Sequence, residues 1–461
     1  MQQQGLRVRN WLSHAPPTVF SAYCIVAAFG TYFCMYAFRQ PFKAATFDES
    51  PWQGVDYKLV LVAAQLLGYT ISKFIGIKVV SEMPPRYRAV GVLGLIGVAE
   101  LALLLFAVTP PGWNVFWLFV NGLPLGMVFG LVLGFLEGRQ VTEALSAGLC
   151  ASFIFGSGAV KSVGRRLIDY HDVSDYWMPF LAGLIFVVPL LLSVWLLSQI
   201  PPPTAEDEKR RTRRTTMNRQ ARHSFFRRHA TGLIGIIIIY ILLTIVRSIR
   251  EDFAVEIWQE LGVDGEPDVF GWSEFFVMIA VVIVTGLTIW IRSNRAAFLG
   301  SLGIFCAGFL IVGATVVGQQ SGAFSAMARL CGQQQSEVFA PMVFMVLLGT
   351  GMYLPYVIIH TTVFERMIAT FRETATIGYL MYLADAIGYL GYVGVMVYRN
   401  LSSGEMTYLP LLLWISMGVA IICMAIAVFL IVHYYRVTSN VEVADDFPAA
   451  GEPEPNPATA S

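Results

Sequence analysis

Charge is scarce in this sequence. Lysine, arginine, aspartate and glutamate together make up 13% of the 461 residues, and the two signs balance at 31 each. That balance says nothing about an acidic partner, and no nucleic acid is expected. Cysteine is as uninformative. The six (Cys24, Cys34, Cys150, Cys306, Cys331, Cys423) show neither CxxC nor metal-ligand spacing, and most sit in apolar segments, where cysteine packs as a small hydrophobe. No metal or cofactor is expected. No nucleophile is spaced with a base, and no Gly-rich phosphate loop is present, so an enzyme is not expected either. The start of the chain lacks a short apolar stretch followed by a small-residue cleavage site, so no removable signal is read there and the first apolar segment is expected to stay.

What the chain has instead is apolar length. AVILMFWYC residues make up 56%, and the mean hydropathy is +0.63, more than a soluble core of this size needs. Runs near 20 apolar residues predict twelve spans. Six lie at 17–38, 57–81, 88–109, 112–136, 141–163 and 176–199; six more lie at 231–249, 272–291, 295–317, 339–363, 374–398 and 408–435. The expected fold is an all-α integral membrane protein with twelve transmembrane helices in two pseudo-symmetric six-helix bundles. Residues 1–200 form the first bundle and 231–437 the second. Between them, 201–230 opens with three prolines and carries nine lysines and arginines, which reads as a basic linker. The stretch 438–461 is acidic and rich in Pro and Ala, and is expected to be a disordered tail.

Lysine and arginine collect on one side of these spans (Arg7, Arg9, Lys78, Arg86, Arg88, Arg139, the linker, Arg292, Arg295, Arg366, Arg372, Arg436). Acidic loops collect on the other: Asp48, Glu49 and Asp56; Asp169, Asp172 and Asp175; and the run from Glu251 to Asp268. By the positive-inside bias both termini are cytoplasmic, in a cell (inner) membrane.

The few charges inside the spans then carry the argument. Tyr32, Tyr36 and Arg39 fall at i, i+4 and i+7, one helical face bearing two phenols and a guanidinium. Arg39 lies about 33 Å along a helix from Pro17, so it either reaches the interface or faces protein. Arg247 stands at the matching place in the second half, about 24 Å from Thr231. It pairs either with Glu251 one turn on or with a ligand; Arg250 is expected to take the acidic loop. In the second span Gln65, Tyr69 and Lys73 share a face, and Lys73 would have to climb about 12 Å to snorkel. Asp385 sits mid-span, either carrying a coupling proton or paired with a basic residue such as Lys161. Glu137 and Arg139 are expected to form an ion pair that latches one conformation, and His360 to be a packing histidine or a proton relay. Gly122, Gly126, Gly130, Gly134 and Gly138 form a stripe that favours close helix packing.

These pieces resemble the major facilitator superfamily, and within it the organophosphate:phosphate antiporters, the glycerol-3-phosphate and hexose-phosphate transporters. Tyr36-Ala-Phe-Arg39-Gln-Pro-Phe is similar to that family's Tyr-x-x-Arg-Lys-Asn-Phe, and Tyr69-Thr-Ile-Ser72-Lys73-Phe-Ile to its Tyr-Gly-Phe-Ser-Lys-Phe-Ile. Arg247 with Asp252 reproduces the spacing of a seventh-helix arginine and aspartate, and Gly388-Tyr-Leu-Gly391 an eleventh-helix motif. Three positions depart from the pattern: Ser152 stands where a histidine is expected, Thr244 where a tyrosine is, and Ser81-Glu82-Met-Pro-Pro-Arg86 replaces the basic motif after the second span. The resemblance implies a monomeric antiporter in the lipid bilayer that exchanges a small anionic substrate, a phosphate ester, against inorganic phosphate. Arg39, Arg247, Lys73, Tyr32, Tyr36 and Tyr69 would bind substrate. Asp385, Lys161, Glu137, Arg139 and His360 would couple or gate, with a proton as the other counter-ion. The rival expectations are a proton-coupled exporter of small molecules and a membrane sensor of an anionic ligand that does not transport.

Overall fold

The computed structural model describes residues 2–47, 51–52, 54–137, 139, 142–202, 219–291, 293–332, 337–371, 377–401 and 407–439. Most of the basic linker (203–218), the acidic tail from 440 on, and Asp48, Glu49, Gly138, Arg292 and Arg372 lie outside the described residues.

The first half holds α1 (Gln2–Ser13), α2 (Pro17–Tyr36), α3 (Tyr57–Glu82), α4 (Pro85–Val108), α5 (Val115–Leu136), α6 (Thr142–His171) and α7 (Met178–Ser198). The second holds α8 (Arg219–Asp252), the short α9 (Ala254–Glu260), α10 (Asp268–Ile289), α11 (Asn294–Gln320), the short α12 (Ala323–Leu330), α13 (Phe339–Ile358), α14 (Phe364–Thr370), α15 (Ile377–Leu401) and α16 (Tyr408–Ser439). Among the described residues eleven helical stretches are long and apolar enough to cross a membrane, and α15, which lies between the last two of them, takes the eleventh place in an order of twelve. Helix starts follow local chemistry. Proline stands at the first turn of α2 and α4, where its missing N–H costs nothing. Asp56 caps α3 by accepting from the Leu59 N–H, and Ser293 caps α11 in the same way.

The glycine stripe does what its spacing predicts. A Cβ on Gly122 would stand 2.1 Å from the Gln65 carbonyl oxygen, and one on Gly126 would stand 2.7 Å from the Ser72 side chain. So α3 and α5 meet backbone to backbone. The two halves meet along two seams, α6 against α10 and α3 against α15. In span order these are the fifth with the eighth and the second with the eleventh, which an approximate two-fold relating the halves would exchange. Gly158 fixes the first seam: a Cβ there would lie 2.0 Å from the Phe270 carbonyl oxygen. The Gly271 N–H donates to Ser162 Oγ beside it.

Three expectations change. The helical stretch that holds the seventh span starts inside the segment assigned to the linker, at Arg219, and is broken at His229, next to the end of that segment. Its other end runs on to Asp252, so Glu251 and Asp252 are helical and buried rather than part of an exposed acidic loop. The tenth span is not one continuous helix. Pro355, which lacks an N–H, precedes a π-helical turn over Ile359–Val363 that holds His360.

Candidate functional site

Between the halves lies a cavity of about 310 Å³. Tyr32, Tyr36, Tyr69, Lys73, Phe129 and Phe153 line it from the first half; Arg247, Tyr356, His360, Asp385 and Tyr389 line it from the second. The helical periodicity that put Tyr32 and Tyr36 on one face therefore points that face inward. Their rings meet edge to face at 5.7 Å, and Tyr32 packs the same way on Phe129.

Arg39 does not reach for the interface. It is 6% exposed, with its guanidinium carbon 4.1 Å from the Tyr69 ring centroid and 5.7 Å from that of Tyr36. Those distances are cation–π contacts with two cavity tyrosines. Its Nε has no hydrogen-bond partner, and among the described residues no carboxylate pairs with it. Arg247 takes the first of the two partners expected for it. It is tied to Glu251 one turn on, while Arg250 pairs with Glu274 at 2.6 Å instead of taking the loop. Arg247 still faces the cavity, 4.8 Å above the Tyr356 ring and 3.3 Å from the Tyr389 hydroxyl. The cause of the pairing is the helix itself: Glu251 stays on α8, four residues from Arg247, so the two head groups are neighbours.

Lys73 is not a free cavity charge either. Its Nζ lies 2.8 Å from Asp385 Oδ2 across the α3–α15 seam, which also corrects the expected pairing of Asp385 with Lys161. Lys161 donates instead to the backbone carbonyl of Glu251 and sits 3.4 Å from Ser157 Oγ, on the same face one turn back. Asp385 has further company: the Tyr240 hydroxyl donates to Oδ1, and His360 Nε2 is 3.8 Å from the same oxygen. His360 Nδ1 lies 2.9 Å from the Tyr356 carbonyl, an acceptor only, which assigns the ring proton to Nδ1 and leaves the Nε2 lone pair toward Tyr240, 3.3 Å away. The imidazole is thus held for packing and also placed beside a carboxylate.

Beyond the cavity, on the side away from the termini, the halves are stitched by buried polar pairs. Gln40 donates to Glu251, Lys43 pairs with Asp252 at 2.6 Å, and the Tyr392 hydroxyl reaches the other Asp252 oxygen at 3.0 Å. Lys58 pairs with Glu256 at 2.5 Å. Lys43, on the 3-10 turn outside the spans, has its pKa pushed below the usual lysine range by burial, with Asp252 pulling the other way. On the termini side Glu143 and Arg366 join the halves at 2.8 Å. Arg139, expected to latch with Glu137, donates to the Pro201 carbonyl and lies 4.8 Å over the Phe20 ring.

Sequence reasoning missed Tyr240, Tyr356 and Tyr389. The signal was present: Tyr356 and His360, and Asp385 and Tyr389, are each one turn apart on a single face. Of the charged groups that line the cavity, two are cations (Lys73, Arg247) and one is a carboxylate (Asp385); Arg39, Lys161 and Glu251 are buried without lining it, and the six together carry a formal excess of two positive charges. Burying unmatched charge is costly.

The solved crystal structure of a D-xylose-proton symporter matches the chain with a TM-score of 0.54 at 16% identity, covering 89% of this chain and 97% of that one. The shared architecture is the twelve-helix bundle of the major facilitator type, and the protein is an integral multi-pass membrane protein. No curated protein matches the chain by sequence. The model of a family described as "Family of unknown function (DUF5690)" matches residues 41–437, and the chain belongs to that family.

Proposed function

We propose that the protein is a secondary transporter that moves a small organic anion, a phosphate ester, by alternating access of the two halves to a shared cavity. The observation that carries this reading is the formal excess of two positive charges among the groups buried in and behind that cavity's wall, with Arg39 in no ion pair among the described residues. Arg39 and Lys73 would grip the anionic head from the first half and Arg247 from the second, a planar fork matched to phosphate oxygens that lysine alone does not supply. Tyr32, Tyr36 and Tyr69 donate hydrogen bonds or cover the apolar part. The resemblance to organophosphate antiporters supports exchange against inorganic phosphate, and the likeness to a D-xylose-proton symporter supports a proton moving with the substrate as the alternative coupling. Both termini are placed in the cytoplasm, with the protein a monomer in the cell membrane.

A second reading, a proton-coupled exporter of small molecules, is favoured by the aromatic character of the wall: seven of the eleven lining residues are Tyr or Phe. The test is counterflow. Full-length protein in proteoliposomes preloaded with phosphate should take up labelled phosphate. Arg39→Lys should slow uptake at least about ten-fold, since losing one charge-assisted fork costs more than 1.4 kcal/mol. Wild-type rates in that variant would remove the clamp. Efflux driven by a pH gradient without phosphate dependence would select the exporter, and binding without counterflow would select a sensor.

A further inference from the structure

The cavity holds one carboxylate, Asp385, and it is spoken for twice. Lys73 on α3 holds Oδ2 at 2.8 Å, and the Tyr240 hydroxyl on α8 holds Oδ1. Lys73 is also one of the two cavity-lining cations an entering anion would meet. Both acceptors cannot keep the same ammonium in a site of this size. They differ in what they can do without it. A phosphate ester keeps at least one negative charge near neutral pH, whereas a carboxylate stranded in a buried cavity is neutralised by protonation.

We propose that the entering anion takes Lys73 from Asp385, and that the carboxylate left behind takes one proton from solution at Oδ2, so that a proton accompanies each substrate. The inference rests on the reading of this cavity as an anion site and names its coupling. The balance is simple: the Lys73–Asp385 ion pair is exchanged for a Lys73–anion pair and a neutral carboxylic acid, and no bond other than O–H is made. Oδ1 keeps its donor throughout, because Tyr240 is anchored at 2.9 Å from the Tyr356 hydroxyl and is not part of the exchange.

The groups facing Asp385 from every element packed on it bear on the proton's destination. From α3 come Lys73 and Tyr69, from α6 Cys150, from α8 Tyr240, from α13 Tyr356, from the π turn His360, and from its own helix Tyr389. Lys73 is the cation in direct contact with Asp385, at 2.8 Å from Oδ2, whereas His360 Nε2 stands 3.8 Å from Oδ1. Removing Lys73 therefore removes the countercharge at Oδ2.

Labelled inorganic phosphate binding by the full-length protein in detergent, followed from pH 6 to pH 8, tests this. Phosphate's own ionisation is common to all variants, so the comparison between variants isolates the protein. Wild-type affinity should fall with rising pH at least three-fold per unit more steeply than that of Asp385→Asn. At pH 8 the variant should bind more tightly than wild type, because its Lys73 is already released. A residue that merely supported the fold would give weaker binding at every pH. Tyr240→Phe, which removes one hydroxyl, should keep the wild-type slope and move its midpoint up by about one pH unit, since the lost hydrogen bond favoured the charged form. Parallel profiles for wild type and Asp385→Asn, or an unmoved midpoint in Tyr240→Phe, would overturn the coupling while leaving the anion site standing. Absence of phosphate binding in all three proteins would overturn the anion reading and this inference with it.

Discussion

The seam between the halves is held differently at its two ends. Away from the termini, Gln40–Glu251, Lys43–Asp252, Lys58–Glu256, Arg166–Asp268 and Tyr408–Asp56 all cross it. At the termini end the crossing ion pair among the described residues is Glu143–Arg366. The burial differs as well. The Lys43 and Asp252 side chains are 3% and 6% exposed, those of Arg366 and Glu143 10% and 15%. Arg366 also sits on α14, separated from α13 by the π turn that carries His360. On the proposed reading, a carrier that alternates must open one end at a time. In this state the far end is locked by interlinked charges, and the termini end is closed by a weaker, more hydrated contact on a helix already broken once. The difference identifies the end that opens at lower cost, and it can be broken from either side.

The largest effect is expected at the far end. Lys43→Met leaves Asp252 buried with the Tyr392 hydroxyl but no cation, and stranding one partner of a buried pair costs about 3–5 kcal/mol. The variant should unfold at markedly lower temperature in detergent than wild type. Burial already pushes the Lys43 pKa down against the pull of Asp252, so the pair is stable only relative to its broken form. Lys43→Met combined with Asp252→Asn should therefore recover most of the loss. A double variant no better than the single one would mean that the lock is not this pair.

How much of this was legible beforehand divides along a physical line. Apolar runs near 20 residues dictate helices in any apolar surrounding, so the spans and the two-bundle layout could be read from residue order alone. The shared face of Tyr32 and Tyr36 also survives into the structure, because it depends on one helix, whereas Arg39 lies past the end of α2, in the turn that follows Tyr36. Partner choice does not. Lys73 finds Asp385, 312 positions away, because α3 packs on α15, and the sequence contains no statement of which helices touch. Lys161 looked an equal candidate for Asp385 until the α6–α10 seam aimed it at Glu251. The acids Glu251 and Asp252 looked like loop residues because apolar content ends before them; the halves bury them by supplying Gln40, Lys43 and Lys161 from across the seam. The π turn was invisible for a different reason: only Pro355 hints at it, and proline marks a disturbed helix without saying how it relaxes.

At the termini end the expected effect is smaller. Arg366→Gln removes the cross-half ion pair while keeping an amide that can still meet Asn294, the second partner of Arg366. A partly hydrated pair contributes on the order of 1 kcal/mol, which corresponds to a shift of roughly five-fold in the population open at that end. Cys150, buried on α6 and facing Asp385, reports that opening. In a protein retaining only this cysteine, maleimide labelling should run about five-fold faster with Arg366→Gln than without. An unchanged rate would place the resistance to opening elsewhere on that face.

The smallest effect sharpens the far end by pH. Glu256 lies on the short α9, outside the spans, 2.5 Å from Lys58 Nζ. Burial pushes its pKa above the ordinary carboxylate value by more than Lys58 pulls it back. A folded-state pKa above the unfolded one gives a contribution that is full below the unfolded value and is lost as pH rises through the folded one. This group should therefore make the far end weaken as pH climbs above about 4.3. Glu256→Gln cannot ionise and loses that decline. The unfolding free energy of wild type minus that of the variant should thus fall as pH rises from 4 to 8, by less than about 1 kcal/mol in total, because the side chain keeps some contact with water. A difference that stays level, or grows with pH, would show that Lys58 outweighs burial at this position, and that the far end is tied by attraction there rather than closed in spite of a charge.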